Sequence, residues 1–267
     1  MKLAFSTLGC PDWTWDEIFA FAKDLGYDGV EIRGVGKELY APRIPALRPT
    51  RTARTQQELN RMGLTIPALT SACELHKKDE REDTLFAAKE YIDLASDLGT
   101  PYIRLLGDTH PAPGDNVDDG FVAEQAQELG AYAAGKSVTL LIESNGVYAD
   151  TARLNKLLLA VNSPAVAALW DINHPVRYFS ESVDQTLGNI GPFVRHVHIK
   201  DSVEENGVVR YRVTGQGTLP VAECARALVA AGYDGFFSLE WVKRWDLSLE
   251  EPGISFALFS QFMRSLQ

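Results

Sequence analysis

Cysteine is scarce in this sequence: Cys10, Cys73 and Cys224 are odd in number, widely spaced and in no CxxC pair. That excludes a disulfide framework, leaves a structural zinc site unsupported and fits reduced thiols in a cytoplasm. Basic charge is thin as well. Lys and Arg total 26 against 36 Asp and Glu, for a net charge of −10, so the chain lacks the footprint of a nucleic-acid binder. No apolar run is long enough to cross a bilayer, so no membrane partner is expected. The opening Met1-Lys2-Leu3-Ala4-Phe5-Ser6-Thr7 has one Lys and a short, interrupted apolar stretch. It is too short for a signal peptide and suits a first strand. No linker, low-complexity tract or long charge run divides the sequence, so residues 1–267 read as one domain. With 45% hydrophobic and 23% charged residues, the length suits one α/β barrel of roughly 250 residues.

Strand-like and helix-like segments alternate throughout, the pattern of βα units around a parallel sheet. Eight strands are expected at 3–6, 29–33, 65–70, 101–106, 138–143, 166–171, 194–199 and 236–240. Helical patterns lie near 14–25, 52–62, 82–98, 119–135, 150–161, 181–190, 219–231 and 254–265. The first opens on Thr14-Trp15-Asp16-Glu17, which fits a capping box, and Gly26 can close it. Over 82–98, Leu85, Ala88, Ile92, Ala95 and Leu98 share one face, and Gly99 can stop the helix. Leu25-Gly-Tyr-Asp-Gly-Val-Glu31 is echoed by Ala231-Gly-Tyr-Asp-Gly-Phe-Phe-Ser-Leu-Glu240, as repeated βα units would give. The long connection 200–218 is expected to hold a small hairpin around Val208–Val213.

Four of these strands end in a residue that can bind a divalent cation: Glu143, Asp171, His198 and Glu240. In a parallel barrel the C-terminal strand ends converge on one mouth, so residues distant in sequence meet there. Any one alone reads as a strand-end residue bonded to nearby backbone. Four on successive strands, all at the same end, read as ligands of one shared ion. A set of three carboxylates and one imidazole suits Mn²⁺, with Co²⁺ or Mg²⁺ as alternatives.

The sequence resembles the sugar phosphate isomerase/epimerase superfamily, with its xylose isomerase-like barrel, over nearly its whole length. The motifs that carry the resemblance are Leu25-Gly-Tyr-Asp-Gly-Val-Glu-Ile-Arg33, Glu143-Ser-Asn145, Asp171-Ile-Asn-His174, His196-Val-His-Ile-Lys-Asp201, Gly215-Gln-Gly217 and Gly232-Tyr-Asp-Gly-Phe-Phe-Ser-Leu-Glu240. The resemblance implies a divalent-metal-dependent epimerase or isomerase of a sugar or sugar phosphate. Such an enzyme removes a proton next to a carbonyl and passes through a metal-stabilised enediolate. In the ketose 3-epimerases of this group two glutamates bind the metal and exchange protons with substrate; here they match Glu143 and Glu240, with Asp171 and His198 completing the shell. Inosose and 3-dehydroshikimate dehydratases share the first half of the chemistry, which makes a metal-dependent lyase of a cyclic keto-polyol the alternative. A DNA repair endonuclease with this barrel needs about three metals and more histidines than the five present. The resemblance also implies homodimers or homotetramers.

Further residues are expected at the mouth. His174 follows a ligand-bearing strand and matches a substrate-oxygen partner of the family. Lys200 shares the parity of His198 and offers either a substrate contact or an ion pair with Asp201. His196, one layer deeper, is expected in a core hydrogen bond. Glu31, Arg33 and Arg104 read equally as substrate contacts or structural ion pairs. Sugar 3-epimerases place an Arg soon after the metal His; Glu204 and Glu205 occupy that stretch here, and Arg210 is the nearest candidate. Gly215-Gln-Gly217 could hold a phosphate, although a tight turn with Thr218 as N-cap is the stronger expectation. Trp13, Trp15 and Trp241 could stack on a sugar or pack over the mouth.

Overall fold

The computed structural model describes residues 1–114 and 116–266. Eight parallel strands run in the order β2-β1-β10-β7-β6-β5-β4-β3. They are β1 (Lys2–Ser6), β2 (Gly29–Glu31), β3 (Ala68–Glu74), β4 (Tyr102–Leu106), β5 (Thr139–Glu143), β6 (Val166–Asp171), β7 (Val194–Ile199) and β10 (Phe236–Leu239). Four backbone bonds close the seam between β2 and the β3 side: Thr65 N to Asp28 O, Val30 N to Thr65 O, Ile32 N to Ala68 O and Thr70 N to Ile32 O. Pro67 interrupts that seam because it has no N–H to give. β3 accordingly begins at Ala68 rather than at the expected 65.

Helices follow the expected pattern, with α1 (Trp15–Asp24), α2 (Thr52–Met62), α3 (Arg81–Leu98), α4 (Asp119–Ala134), α5 (Thr151–Val161), α7 (Val183–Ile190), α8 (Val221–Ala230) and α9 (Pro252–Arg264) around the barrel. The Thr14–Glu17 capping box is formed, with Thr14 N–H donating to Glu17 Oε2 at 2.7 Å. Gly26 at φ +66° and Gly232 at φ +85° take the left-handed conformation at both copies of the echoed motif. One short helix, α6 (Asn173–Phe179), stands where a loop was expected. Its Pro175 is the third residue, and the first turn of a helix tolerates proline because those N–H groups have no intrahelical partner. The β7–α8 connection carries the hairpin β8 (Asp201–Glu205) and β9 (Val208–Arg212). Asn206 and Gly207 turn it at φ +55° and +74°, the requirement of a tight I′ turn.

The pleat sorts side chains between two cores. Leu140, Ile142, Ala168, Trp170, Val197, Ile199, Phe237 and Leu239 point outward and pack under the helices. Their neighbours Leu141, Ala167 and Leu169 fill the barrel interior below the strand ends, with Tyr102 against them.

Two loops at the C-terminal face are tied by Asp108. Its buried carboxylate accepts hydrogen bonds from the N–H of Thr109 (2.8 Å), Gly114 (2.8 Å) and Val147 (2.9 Å). Its carbonyl accepts from Asn145 Nδ2 at 2.9 Å, which joins the loop after β4 to the loop after β5. Gly146 is obligatory beside it: at φ +58°, an added Cβ would lie 2.3 Å from the Asp108 carboxylate. Unpaired buried N–H groups cost about 1–3 kcal/mol each. Asp108→Ala is therefore expected to lower unfolding stability by about 3 kcal/mol or more. Urea unfolding of the variant checks this, and a loss under about 1 kcal/mol would mark the contacts as surface-like.

Candidate active site

Strand alternation carries one set of charged side chains to the mouth. On β5, Leu141 and Glu143 face inward; on β6, Leu169 and Asp171; along β7 and just beyond it, His196, His198 and Lys200. Register sets Asp171 level with His198, which also pairs with Ser238. Glu240 follows Ser238 by two residues and so returns to the same face. The strand ends are latched: Asp171 N–H donates to Ser144 Oγ at 2.9 Å, and Ser144 Oγ–H donates to the Asp171 carbonyl at 3.2 Å.

Glu143, Asp171, His198 and Glu240 converge, with one ligand atom from each lying within 4.8 Å of all the others. His198 Nδ1 is the centre of the group, at 3.2 Å from Glu143 Oε1, 3.6 Å from Glu240 Oε1 and 3.9 Å from Asp171 Oδ2. The other ring nitrogen, Nε2, is bonded to Glu31 Oε2 at 3.0 Å. The same Glu31 oxygen takes His196 Nε2 at 2.7 Å. Burial opposes charge on His198, but Glu31, Glu240 and Glu143 outweigh it and hold its pKa well above the ordinary imidazole value. Burial likewise disfavours the charged forms of Glu143 and Glu31, and their cationic neighbours overcome it. Arg104 and His198 hold Glu143 far below the usual carboxylate range, and His198 and His196 do the same for Glu31.

Lys200 crosses the group. Its Nζ lies 2.7 Å from Asp171 Oδ2, touches Glu240 Oε2 and sits 5.9 Å from the Tyr211 ring centroid. Burial pulls its pKa down, but Asp171 and Glu240 raise it well above the ordinary lysine value. His174 is the neutral member. Burial lowers its pKa, and its Nδ1 lies 3.0 Å from the Ser144 carbonyl, which can only accept. The proton is therefore on Nδ1, and Nε2 is an acceptor 3.4 Å from Lys200 Nζ. Arg104 Nε stands 3.2 Å from Glu143 Oε2. These side chains open on a cavity of about 470 Å³.

The donor set fits a divalent ion on the geometry itself. Three carboxylate oxygens and a ring nitrogen face one point, and Asp171 Oδ2 reaches it with Lys200 as its charged partner at 2.7 Å. Glu31 fixes the histidine's orientation from behind, as carboxylates commonly do for metal-binding imidazoles.

Several expected mouth residues are elsewhere. Glu31 is wholly buried beneath the mouth, bonded to two imidazoles and out of reach of a substrate. Arg210 is on the outer face of the hairpin, 3.2 Å from Glu205, because alternation along β9 turns Tyr211 inward and its neighbours outward. Lys200 does not pair with Asp201. The Asp201 carboxylate instead accepts from Gly215 N (2.8 Å), Gly217 N (2.9 Å) and Leu219 N (3.3 Å), so those N–H groups are already satisfied and offer no phosphate cradle. Thr218 is not an N-cap; α8 starts after Pro220. Trp13 packs on Phe21 and Phe256, Trp15 on Phe19, and Trp241 is buried with its indole N–H on the Glu250 carbonyl. The mouth instead gains Glu74, Thr109, Asn145, Tyr211, Trp245 and Asp246. Only Asn145 had a sequence signal, since it follows Glu143 by two residues.

Known proteins share this fold. A family model described as xylose isomerase-like TIM barrel matches residues 19–258. Fructoselysine 3-epimerase from Shigella flexneri is 27% identical over 263 residues, covering 94% of this chain and 93% of that protein. D-psicose 3-epimerase from Clostridium cellulolyticum H10, solved with D-tagatose, superposes with a TM-score of 0.78 at 16% identity, over 100% of this chain and 99% of that one. A probable 3-DHS dehydratase from Bacillus anthracis gives a TM-score of 0.76 at 17% identity, over 100% and 98%. The match to the family model spans most of the sequence and agrees with the barrel's strand order, so this chain belongs to the xylose isomerase-like TIM barrel family.

Proposed function

We propose that the protein is a divalent-metal-dependent epimerase of a ketose or ketose derivative, exchanging the proton on a carbon next to the carbonyl. The observation that carries this is the placement of Glu143 and Glu240. They come from β5 and from the end of β10, strands separated in the sheet by β6 and β7, yet their oxygens meet around His198 Nδ1. Two carboxylates reaching one cavity from different sides suit removal of a proton on one face of a carbon and its return on the other. An aldose–ketose isomerase needs only one such base moving between adjacent carbons. The relative named fructoselysine 3-epimerase, aligned end to end, supports the same reading.

Glu143, Asp171, His198 and Glu240 would hold the ion, with Mn²⁺ the best match to one nitrogen and three carboxylates and Mg²⁺ or Co²⁺ the alternatives. When bound, the metal supplies Lewis-acid polarisation of a carbonyl, which makes the neighbouring proton acidic enough for a carboxylate to take. The protein's own groups do the rest. Glu143, held anionic by Arg104, and Glu240, set against Lys200, are the two bases. His174 Nε2 and Lys200 Nζ are an acceptor and a donor side by side, suited to one hydroxyl or carbonyl oxygen of the substrate.

Protein prepared without chelator is expected to carry one divalent ion per chain, read by elemental analysis. Asp171→Asn and His198→Ala should lose it, whereas Glu31→Gln should keep the site but weaken affinity roughly 10–100-fold. Full metal content in both ligand variants would eliminate this site.

Glu143→Gln and Glu240→Gln should each lower turnover by a factor on the order of 10² or more, the usual scale for a lost acid or base. The assay is exchange of solvent deuterium into ketose substrates, with metal content measured on the same samples. Release of water from a cyclic keto-polyol without epimerisation would replace the epimerase reading with a dehydratase.

His174→Ala should retain metal while kcat/KM falls by about 10², because a hydrogen bond at the reacting end is lost. A metal-depleted His174→Ala protein would instead make this residue a ligand.

A further inference from the structure

The mouth is electrically divided. Glu143, Asp171, Glu240 and His198 lie on the side formed by β5, β6, β7 and β10, whereas the β2 and β4 side presents two guanidinium groups, Arg33 and Arg104. Arg104 has Glu143 as its partner. Arg33 has none. It is 9% exposed, lines the cavity, and makes one side-chain hydrogen bond, from Nη1 to the Leu39 carbonyl at 3.2 Å. Its backbone is fixed independently, with the N–H on Thr7 Oγ1 at 2.9 Å. Among the described residues no carboxylate lies within ion-pair distance of its guanidinium. Burial and the neighbouring Arg104 disfavour its charge and Glu240 favours it, with the balance against the charge.

A buried cation with neither a counter-ion nor full hydration is stable only when something supplies the missing charge. The protein supplies it only in part: Glu240 favours the charge from beyond ion-pair distance, and Glu74 at the end of β3 is engaged by Lys77 at 2.7 Å and by the Thr109 hydroxyl at 3.0 Å. The remaining donors of Arg33 are not among the buried unpaired atoms, so they border the cavity. A guanidinium fork presented to a cavity matches the two oxygens of a carboxylate or phosphate.

We propose that Arg33 is an anion-recognition residue and that the natural substrate is an anionic ketose, with a carboxylate or phosphate remote from the reacting carbon. This rests on the reading of the mouth as a ketose site. The neutral, metal-facing end of the substrate meets Glu143, Glu240, His174 and Lys200, while the anionic end lies toward Arg33 and the potential of Arg104. Recognition at both ends of the substrate also sets the direction in which the ketose lies, which decides which carbon faces the two glutamates.

The test compares ligand pairs that differ in the anion. Fructose 6-phosphate against fructose reads a phosphate. Fructosyl-glycine against fructosyl-ethanolamine reads a carboxylate. Binding to the metal-loaded protein is measured by titration calorimetry, and deuterium exchange is followed separately. Charge-assisted hydrogen bonds contribute roughly 1.5–3 kcal/mol, or about 10–10² in affinity, so the wild type should prefer one anionic member by at least tenfold. In Arg33→Met that ratio should fall toward one, and Arg33→Lys should restore part of it. The responding pair tells phosphate from carboxylate. No anionic preference in either pair, or a preference that survives in Arg33→Met, overturns the proposal. Selective binding without deuterium exchange would leave the anion site standing and count against the epimerase reading alone.

Discussion

The bond between His198 Nε2 and Glu31 Oε2 decides which nitrogen of the ring reaches the mouth. With Nε2 engaged below, only Nδ1 is left to face Glu143, Asp171 and Glu240. Without that anchor the imidazole could rotate, and the four groups would no longer share a point. Glu31 gains its own tolerance of burial from the same contact, and His196 supplies a second donor to it. Site and support are one charge network, in which each buried ion is admissible because the next one is present.

That network explains the arrangement of the surrounding elements. Lys200 continues the inward column of β7 and neutralises Asp171 and Glu240, while the hairpin that follows brings the Tyr211 ring against its ammonium. Asp201, one residue later, faces the other way and binds the backbone of residues 215–219, which holds the base of the connection in place. Successive residues of one short stretch thus serve the site and the scaffold in alternation. The mouth is built on strand ends, but loops tied by Asp108 shape its rim.

The division between an acidic wall and a guanidinium wall bears on what this barrel can accept. Relatives of the fold include both a 3-epimerase and a probable dehydratase, and at 16–17% identity these likenesses extend to the fold alone. Proton removal next to a carbonyl is common to both chemistries.

The alternation of apolar runs with helical patterns was enough to place all eight barrel strands to within a few residues, because a strand buried on both faces leaves an almost uninterrupted apolar signature. The same runs exposed the quartet, since a polar residue ending such a run has one place to go in a parallel barrel. Parity along β7 also separated His198 and Lys200 from their outward neighbours. The partners of each charge were decided only by the closed sheet. Glu31 and His196 meet across a sequence separation of 165 residues, Asp201 chooses the glycine loop over its neighbour Lys200, and Arg210 turns outward beside an inward Tyr211. Such pairings depend on the stagger between non-adjacent strands and on how a hairpin folds back over them. Local periodicity specifies which face a side chain takes, whereas the group waiting on that face is supplied by a distant part of the chain.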